Sequence, residues 1–246
     1  MTDERFTIIV MNKRYSSWSM RAWLALRQCV GPAGYKELLF NLAGDAATTT
    51  AILPRSDIFK YSPTGKAPAL IDHELGVTVY ESIAIVFHLA DRFPESGLWP
   101  KDPAAKAVCL SACAEMHAGF TGLRNNLPHH CLGKGLNHAV EALAKKEVID
   151  DLARLGQMWT DLRTKYGQSG GDFLFGAFGA ADCMFAPVSV RFMTYDPELA
   201  SIAAFPVAQQ YVRTLYQMSD MQQWIEDAKA EGEDTYLPYY EVYIDK

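Results

Sequence analysis

The chain of 246 residues contains 49% hydrophobic and 21% charged residues, which is the balance of an ordinary folded globular protein. Its formal net charge is -6 at pH 7 and its Lys and Arg residues are scattered, which argues against a nucleic-acid or anionic-membrane partner. No segment reaches the roughly 20 consecutive apolar residues of a membrane-spanning helix, and the N-terminal residues show no export signal. We therefore expect a cytoplasmic protein without a nucleic-acid or membrane partner.

The five cysteines form no C-x-x-C pair and show no zinc-type spacing with histidine, so the sequence predicts neither a disulfide framework nor a metal site. Cys109 and Cys113, one helical turn apart, are interpreted as small core residues. His129 and His130 are interpreted as polar surface residues. None of these residues indicates a metal or another cofactor.

The first 93 residues predict an α/β domain, because short β-branched runs and helical apolar periodicity alternate between turn residues. The predicted elements, in chain order, are strand 6–11, helix 20–30, strands 35–40, 68–72 and 77–80, and helix 82–92. A short turn joins the last two strands, which indicates an antiparallel pair. The order βαβ, irregular segment, ββα therefore predicts a mixed sheet.

A segment rich in proline, 94–103, interrupts regular structure and marks the best domain boundary. Beyond it strand patterns nearly vanish, and residues 104–246 predict an all-helical domain. Its predicted helices are 104–127, 140–166, 180–195 and two more between 206 and 230. The Tyr-rich segment 237–244 fits either a strand or a segment packed on the surface.

The loop before the first predicted helix is rich in hydroxyl groups. Tyr15, Ser16 and Ser17 lie there, followed by Trp18. Serine is a preferred N-cap, so plain helix capping is one interpretation. The other is functional, because hydroxyls and free backbone N–H groups at a helix start can stabilise an anion. The loop contains no cysteine, which argues against redox chemistry by a thiol of the protein itself.

Two further motifs stand at the starts of predicted elements. Gly65-Lys66-Ala67-Pro68 leads into the third strand, where Pro68 fits an ordinary strand-opening proline. Glu81 and Ser82 stand at the start of the second helix, where they fit a first-turn acid and an N-cap. Each motif alone therefore has a purely structural interpretation.

Together, the three motifs and their order resemble the cytosolic glutathione transferase family. Residues 12–19 are similar to the serine motif of its zeta-like classes, 65–70 to its G-x-x-P-x-L stretch, and 81–85 to its acidic-Ser pair. The implied fold is a thioredoxin-like α/β domain followed by an all-α domain. The corresponding boundaries are 1–93 for the glutathione-binding domain, 94–103 for the linker and 104–246 for the helical domain that contributes the electrophile pocket.

The resemblance implies a set of glutathione-binding residues. They are Ser16, Trp18, Lys66, Ala67, Pro68, Glu81 and Ser82. In this interpretation the bond before Pro68 is cis, and the Ala67 backbone is free to pair with the cysteinyl part of glutathione. The Ser82 hydroxyl and the helix-start amides would hold the γ-glutamyl carboxylate, and Glu81 would receive the ammonium group.

The resemblance also implies catalysis through a hydroxyl group that donates to the glutathione sulfur. Only a few per cent of a thiol with a pKa of roughly 8.5 is thiolate at neutral pH. Lowering this pKa by about two units requires roughly 2.7 kcal/mol of preferential stabilisation of the anion. Ser16 aligns with the catalytic serine and Ser17 with its neighbour, whereas Tyr15 is a competitor because other classes use tyrosine. Trp18 stands where cysteine is frequent.

The implied activity is transfer of glutathione to a small hydrophobic electrophile by a homodimeric enzyme, with glutathione as co-substrate and no further cofactor. Two alternatives stay open. A zeta-like cis-trans isomerase of the maleylacetoacetate isomerase type would begin from the same thiolate, and a non-catalytic binding module would keep the fold alone. One departure from the family pattern lies at Gly179, where a capping box keeps Asp182 and loses its hydroxyl residue.

Overall fold

The computed structural model describes residues 5–44, 52–232 and 235–246. Its N-terminal part contains a five-stranded sheet of order β3-β2-β1-β4-β5. The strands are β1 Phe6–Met11, β2 Tyr35–Phe40, β3 Ile52–Leu53, β4 Ala69–Asp72 and β5 Val77–Tyr80. β1 runs parallel to β2 and antiparallel to β4, which confirms the predicted mixed sheet. β3 was not predicted, because two residues are too few to show a pattern.

The helices of the described residues begin with two that pack on the sheet domain and continue with the helical domain. They are α1 Ser17–Val30, α2 Ser82–Arg92, α3 Pro103–Ala118, α4 Thr121–Asn126, α5 Leu136–Ala142, α6 Lys146–Tyr166, α7 Ala180–Tyr195, α8 Pro206–Tyr216, α9 Ser219–Lys229 and α10 Pro238–Glu241. The predicted α/β domain followed by a helical domain is confirmed.

Two predicted helices are each divided in the structure. The prediction of one helix over 104–127 is wrong, because α3 ends at Ala118 and Phe120 takes a left-handed conformation with φ of 55°. This conformation breaks the helical path and is uncommon for a bulky residue. The helix predicted over 140–166 is interrupted at residues 143–145, where Lys145 is extended with ψ of 135° and α6 begins anew.

Helix α7 passes through the centre of the molecule, and nearly all of its residues are buried. It packs on both α1 and α3, so the two domains share one apolar core. At its start the buried Asp182 carboxylate accepts hydrogen bonds from the Gly179 N–H at 2.8 Å and the Leu174 N–H at 3.2 Å. Burial raises the pKa of Asp182 to about 6.

The missing hydroxyl of this cap has a steric explanation. Gly179 lies against the Leu98 carbonyl, which also accepts a hydrogen bond from the Ala180 N–H at 2.9 Å. A Cβ atom on Gly179 would lie 2.8 Å from that carbonyl oxygen, closer than van der Waals contact allows. The position therefore requires glycine, and the acidic half of the capping box remains.

The Tyr-rich end of the chain is not a strand but a segment packed on the surface, the second of the two predicted alternatives. It contains the short helix α10 and is tied to the rest of the helical domain, because the Asp245 carboxylate accepts a hydrogen bond from the Leu136 N–H at 2.8 Å. Among the helices of the described residues, none is both long and apolar enough to traverse a lipid bilayer.

Candidate active site

Two adjoining clefts lie between the sheet domain and the helical domain. The smaller cleft, of about 280 Å³, is lined by Trp18, Thr64, Lys66, Ala67, Pro68, Glu81 and His117. The larger, of about 480 Å³, is lined by Met11, Tyr15, Ser16, Ser17, Trp18, Leu42, Ala67, Arg124, Asn125, Pro128, His129, Arg191, Tyr239, Tyr240 and Tyr243. Trp18 and Ala67 belong to both walls, so the clefts are continuous.

The segment before β4 contributes backbone groups to this region. The peptide bond between Ala67 and Pro68 is cis, as predicted. Lys66 is held by a turn in which its carbonyl accepts a hydrogen bond from the Ser62 hydroxyl at 2.7 Å. Within the described residues, no hydrogen bond is formed by the Ala67 N–H or C=O, so both groups can accept an added strand.

The start of α2 places Glu81 and Ser82 beside the smaller cleft. The interpretation of Ser82 as an N-cap is wrong, because Glu81 occupies that position with φ of 69° and Ser82 is the first helical residue. The Ser82 Oγ atom is buried and has no hydrogen-bond partner among the described residues. Leaving such a group unpaired costs about 1 to 3 kcal/mol. A ligand group at the helix start would remove that cost.

The N-cap and the first residue of α1 bring Ser16 and Ser17 to the larger cleft. Ser16 caps the helix, because its Oγ accepts a hydrogen bond from the Ser19 N–H at 3.3 Å and donates one to the Ser19 Oγ at 2.7 Å. Ser17 is only 8% exposed, and its hydroxyl forms no hydrogen bond to the described part of the chain. Both serines therefore lie in the cleft, but only Ser16 serves as a cap.

Tyr15 lines the same cleft, but its hydroxyl is already engaged. It donates a hydrogen bond to the Glu241 carboxylate and accepts one from the Leu237 N–H at 3.1 Å. Burial, together with the bond to Glu241, raises the pKa of Tyr15. The phenol therefore fastens the C-terminal segment to the loop, which makes it a poor donor to a sulfur atom.

His130 belongs to the same network, since its Nε2 lies 3.1 Å from the Glu241 Oε1. The interpretation of His129 and His130 as polar surface residues is wrong, because both are buried. Both ring nitrogens of His129 lack a hydrogen-bond partner among the described residues. Burial, followed by the nearby Arg191 and Arg21, lowers the pKa of His129, so this ring is neutral. Cys109 and Cys113 are buried core residues, as predicted.

Lys13 holds the loop before α1 against both domains. Its Nζ forms ion pairs with Glu37 at 2.8 Å and with Asp227 of α9 at 2.7 Å. The same atom lies 5.0 Å from the centroid of the Trp23 ring and 5.1 Å from that of Trp224. One lysine side chain therefore connects the sheet, α1 and α9 immediately before the serines.

Backbone groups of the loop are held as well. The Lys13 N–H donates to the buried Glu231 carboxylate at 2.5 Å, and the Lys13 carbonyl accepts a hydrogen bond from the Trp224 Nε1 at 2.8 Å. Burial raises the pKa of Glu231 to about 7. The helical domain therefore helps to position the loop, in addition to the local hydrogen bonds that the Asn12 carbonyl accepts from the Tyr15 and Ser16 N–H groups.

Several residues of the clefts carry no signal in the sequence. Arg124, His117 and Arg191 come from separate helical segments, and no local motif surrounds any of them. Only the packing of α3, α4 and α7 around α1 brings them to the same place. The Tyr-rich composition near the end of the chain was visible in the sequence, but its position on the cleft wall was not.

Two family models match the chain. The model "Glutathione S-transferase, N-terminal domain" matches residues 15–92, and "Glutathione S-transferase, C-terminal domain" matches residues 114–214. The two models match in the order in which the structure places its sheet domain and its helical domain.

The chain belongs to the glutathione S-transferase family.

This family member also resembles individual relatives. It is 36% identical over 70 residues to glutathione S-transferase Z2 of Arabidopsis thaliana, a match that covers 28% of this chain and 30% of that protein. Less than a third of that relative's length is therefore matched.

Among solved structures, a sphingomonad glutathione S-transferase complexed with glutathione has 22% identity and a TM-score of 0.60. The match covers 91% of this chain and 98% of the other. Glutathione transferase Omega 2C from Trametes versicolor has 18% identity and a TM-score of 0.65, with 92% and 98% covered. At these identities the structures show a shared fold.

Proposed function

We propose that this family member is a glutathione transferase that activates the glutathione thiolate for attack on a small hydrophobic electrophile. The observation that carries the proposal is the convergence of three separate sequence motifs on two continuous clefts. In this proposal residues 1–93 form the glutathione-binding domain, 94–103 the linker and 104–246 the domain that contributes the electrophile pocket.

Glutathione occupies the smaller cleft in this proposal. Its cysteinyl backbone pairs with the unpaired backbone groups of Ala67, and its γ-glutamyl carboxylate meets the Ser82 hydroxyl and the amides that begin α2. Glu81 receives the ammonium group, while Lys66 and Trp18 complete the walls. The unpaired Ser82 hydroxyl supports this assignment because it supplies a buried donor at the place where a carboxylate is needed.

The sulfur then lies near Trp18 and Ala67, where the two clefts meet, with the start of α1 beside it. Hydroxyl donors and helix-start amides stabilise an anion there. Ser16 is proposed as the principal donor, with Ser17 as the second candidate. The thiolate adds to the electrophilic carbon of the second substrate, a C–S bond forms, and the leaving group departs with its electron pair.

Calorimetric titration with glutathione tests the binding part of this proposal. Ser82→Ala together with Glu81→Ala is expected to weaken binding by at least about tenfold, because each change removes a charge-assisted partner. Ser111→Ala is the matched control, since this exposed serine only bonds to the Ala107 carbonyl. Equal affinities of the double variant and the native protein would place the anchor elsewhere.

Turnover of 1-chloro-2,4-dinitrobenzene with glutathione then separates an enzyme from a non-catalytic binding module.

We further propose a cytoplasmic homodimer. The free cysteines, four of them buried, fit a reducing compartment. Helix α3 is rich in small residues, which allows two copies to approach closely, and the family usually assembles across both domains. Light scattering at micromolar concentration is expected to give twice the mass of the chain, and a monomeric mass would contradict the proposed dimer.

A further inference from the structure

The wall of the larger cleft contains arginine side chains, although the formal net charge of the whole chain is -6. Arg124 and Arg191 line the cleft, and Arg191 is only 5% exposed. Arg21 is 1% exposed and lies behind the lining residue Trp18, with its guanidinium carbon 4.3 Å from the ring centroid. The Arg124 guanidinium carbon lies 4.7 Å from the same centroid.

These guanidinium groups are bonded to backbone carbonyls and not to acids. Arg191 donates to the Leu127 carbonyl at 2.8 Å and to the Pro187 carbonyl at 3.1 Å. Arg124 donates to the Gly119 carbonyl at 3.0 Å. No Asp or Glu within the described ranges lies within 4 Å of either guanidinium group or of Arg21.

Two further observations concern the electrostatic surroundings of these three arginines. Asp151 acts on Arg124 only from a distance, and its carboxylate accepts a hydrogen bond from the Leu123 N–H at 2.8 Å. Burial, followed by the nearby arginines, lowers the pKa of Arg21, and burial lowers the pKa of Arg191 to about 10. Burial of a cation without a counter-ion is unfavourable. An anion in the cleft would remove much of that cost.

The remaining lining residues indicate the shape of the ligand. His129 is buried and has two ring nitrogens without a partner, so it can donate or accept one hydrogen bond at the cleft wall. Tyr239, Tyr240 and Tyr243 contribute aromatic rings to the same wall. Flat aromatic molecules pack well against such rings.

We propose that the larger cleft binds an aromatic electrophile that carries a carboxylate, with the carboxylate held by Arg124 and Arg191 and the ring packed against the tyrosines. This inference rests on the proposed function and narrows its second substrate. For an aryl halide, the glutathione thiolate attacks the halogen-bearing carbon, the C–S bond forms, and the halide leaves with its electron pair.

The anion belongs to the second substrate because glutathione's own charged groups have partners elsewhere. In the proposed function its γ-glutamyl carboxylate and ammonium group are met at Ser82 and Glu81; Glu81 lines the smaller cleft, and the buried Ser82 follows it at the start of α2. Arg124 and Arg191 line only the larger cleft, and its volume of about 480 Å³ leaves room for a substituted benzene ring beside the sulfur.

A binding experiment tests the anion site without requiring turnover. Calorimetry in saturating glutathione compares 3,5-dinitrobenzoate with 3,5-dinitrobenzamide, which has nearly the same shape and no charge. The benzoate is expected to bind at least about tenfold more tightly, since hydrogen bonds to charged groups are the stronger ones. Arg124→Gln should remove this preference while changing the affinity for the amide by less than about threefold, and Arg124→Lys should retain part of it.

Arg154→Gln is the matched control, because this exposed arginine pairs with Glu115 and lines neither cleft, and its affinities should equal those of the native protein. Equal binding of the two ligands by the native protein would overturn the inference. Binding of the benzoate in the absence of glutathione but not in its presence would also overturn it, because the arginines would then serve the carboxylates of glutathione itself.

Turnover separates this inference from the proposed function. The rates for 4-chloro-3,5-dinitrobenzoate and for its amide are each divided by the uncatalysed rate with glutathione. The inference predicts that this ratio is higher for the benzoate than for the amide. It also predicts that Arg124→Gln lowers the ratio for the benzoate by about tenfold or more. Turnover of the amide alone would support the proposed function and contradict the inference. Selective binding of the anion without any turnover would contradict only the proposed function.

Discussion

Ser16 and Ser17, at the start of α1, line the same cleft, and their hydroxyls differ in the hydrogen bonds that they form within the protein. The Ser16 hydroxyl donates to Ser19 at 2.7 Å, so it must turn away from Ser19 to donate to a sulfur atom. The Ser17 hydroxyl has no such partner among the described residues. The alignment with the serine motif favours Ser16, whereas the hydrogen bonds leave Ser17 more readily available.

The Ser16→Ala variant is expected to keep glutathione affinity within about threefold and to lower turnover by roughly 10- to 1000-fold. This is the range seen when a donor to a stabilised anion is lost. The rate profile against pH should move to a higher apparent pKa, because the thiolate is then less stabilised. Initial rates between about pH 5.5 and 9, a range that includes both the lowered and the ordinary thiol pKa, measure this shift.

Ser17→Ala and Tyr15→Phe are the controls for this experiment. If Ser17→Ala moves the profile and Ser16→Ala does not, Ser17 is the donor and Ser16 is only a cap. Tyr15→Phe is expected to lower stability without moving the profile, because the Tyr15 hydroxyl bonds to Glu241 and the Leu237 N–H. A shift with Tyr15→Phe alone would assign catalysis to the tyrosine.

At the scale of single elements, the start of α7 gives a prediction that runs against the usual capping rule. Replacing an N-cap glycine by serine normally stabilises a helix by only a few tenths of a kcal/mol. Gly179→Ser is nevertheless expected to destabilise the protein by about 1 to 3 kcal/mol, because the new Cβ would meet the Leu98 carbonyl and overpack the site. Urea denaturation measures the change, with Gly179→Ala as the steric control. An increase in stability for the serine variant would refute the steric explanation.

The C-terminal segment gives a prediction about pH. Burial opposes ionisation of Glu241, but hydrogen bonds from Tyr15 and His130 outweigh it, so the pKa of this carboxyl group is lowered. A depressed folded-state pKa contributes stability above the unfolded-state pKa, and this stability is lost as pH falls through the folded-state value. Glu241→Gln should therefore lower the free energy of unfolding by about 1.5 to 3 kcal/mol at neutral pH, with a smaller difference near pH 4, roughly the ordinary carboxyl range.

Urea denaturation at the two pH values measures this dependence. Glu226→Gln is the matched control, since Glu226 forms an exposed ion pair with Lys229 and such pairs contribute at most about 1 kcal/mol. A penalty for Glu241→Gln that stays constant as pH falls would show that the carboxylate charge is not what holds the segment.

At the scale of the whole molecule, Lys13 joins the two domains. Lys13→Met is expected to lower stability by about 3 kcal/mol, the low end for a buried ion pair, because Glu37 and Asp227 remain partly exposed and can be hydrated. Denaturation followed by tryptophan fluorescence measures the loss. Lys146→Met, which removes an exposed pair with Asp150, should change stability by less than about 0.5 kcal/mol. Similar losses in the two variants would contradict a joining role for Lys13.

The sequence predicted those parts of the fold that local patterns decide. The bounds of α2 and α7 were predicted correctly, because both segments are largely apolar and a proline lies two positions beyond the end of each helix. The division of the helix predicted over 104–127 depends on the conformation of Phe120, which no pattern reveals. The motif residues were expected to converge because the family resemblance assigns all three motifs to one binding site. Arg124 and Arg191 could not, because tertiary packing alone brings them to the cleft.

The anchoring of the loop before α1 has a consequence for protein engineering. Lys13 depends on Asp227 and Trp224, and Tyr15 on Glu241, so the helical domain supplies the groups that shape the serine loop. A chimera could be built with the helical domain of another family member so that it accepts a different electrophilic substrate. Such a chimera would also lose Asp227, Trp224 and Glu241, the side chains that hold the loop. The chimera should remain active only if the new helical domain has carboxylates and an indole at the corresponding positions, or if the loop before α1 is taken from the same protein as that domain.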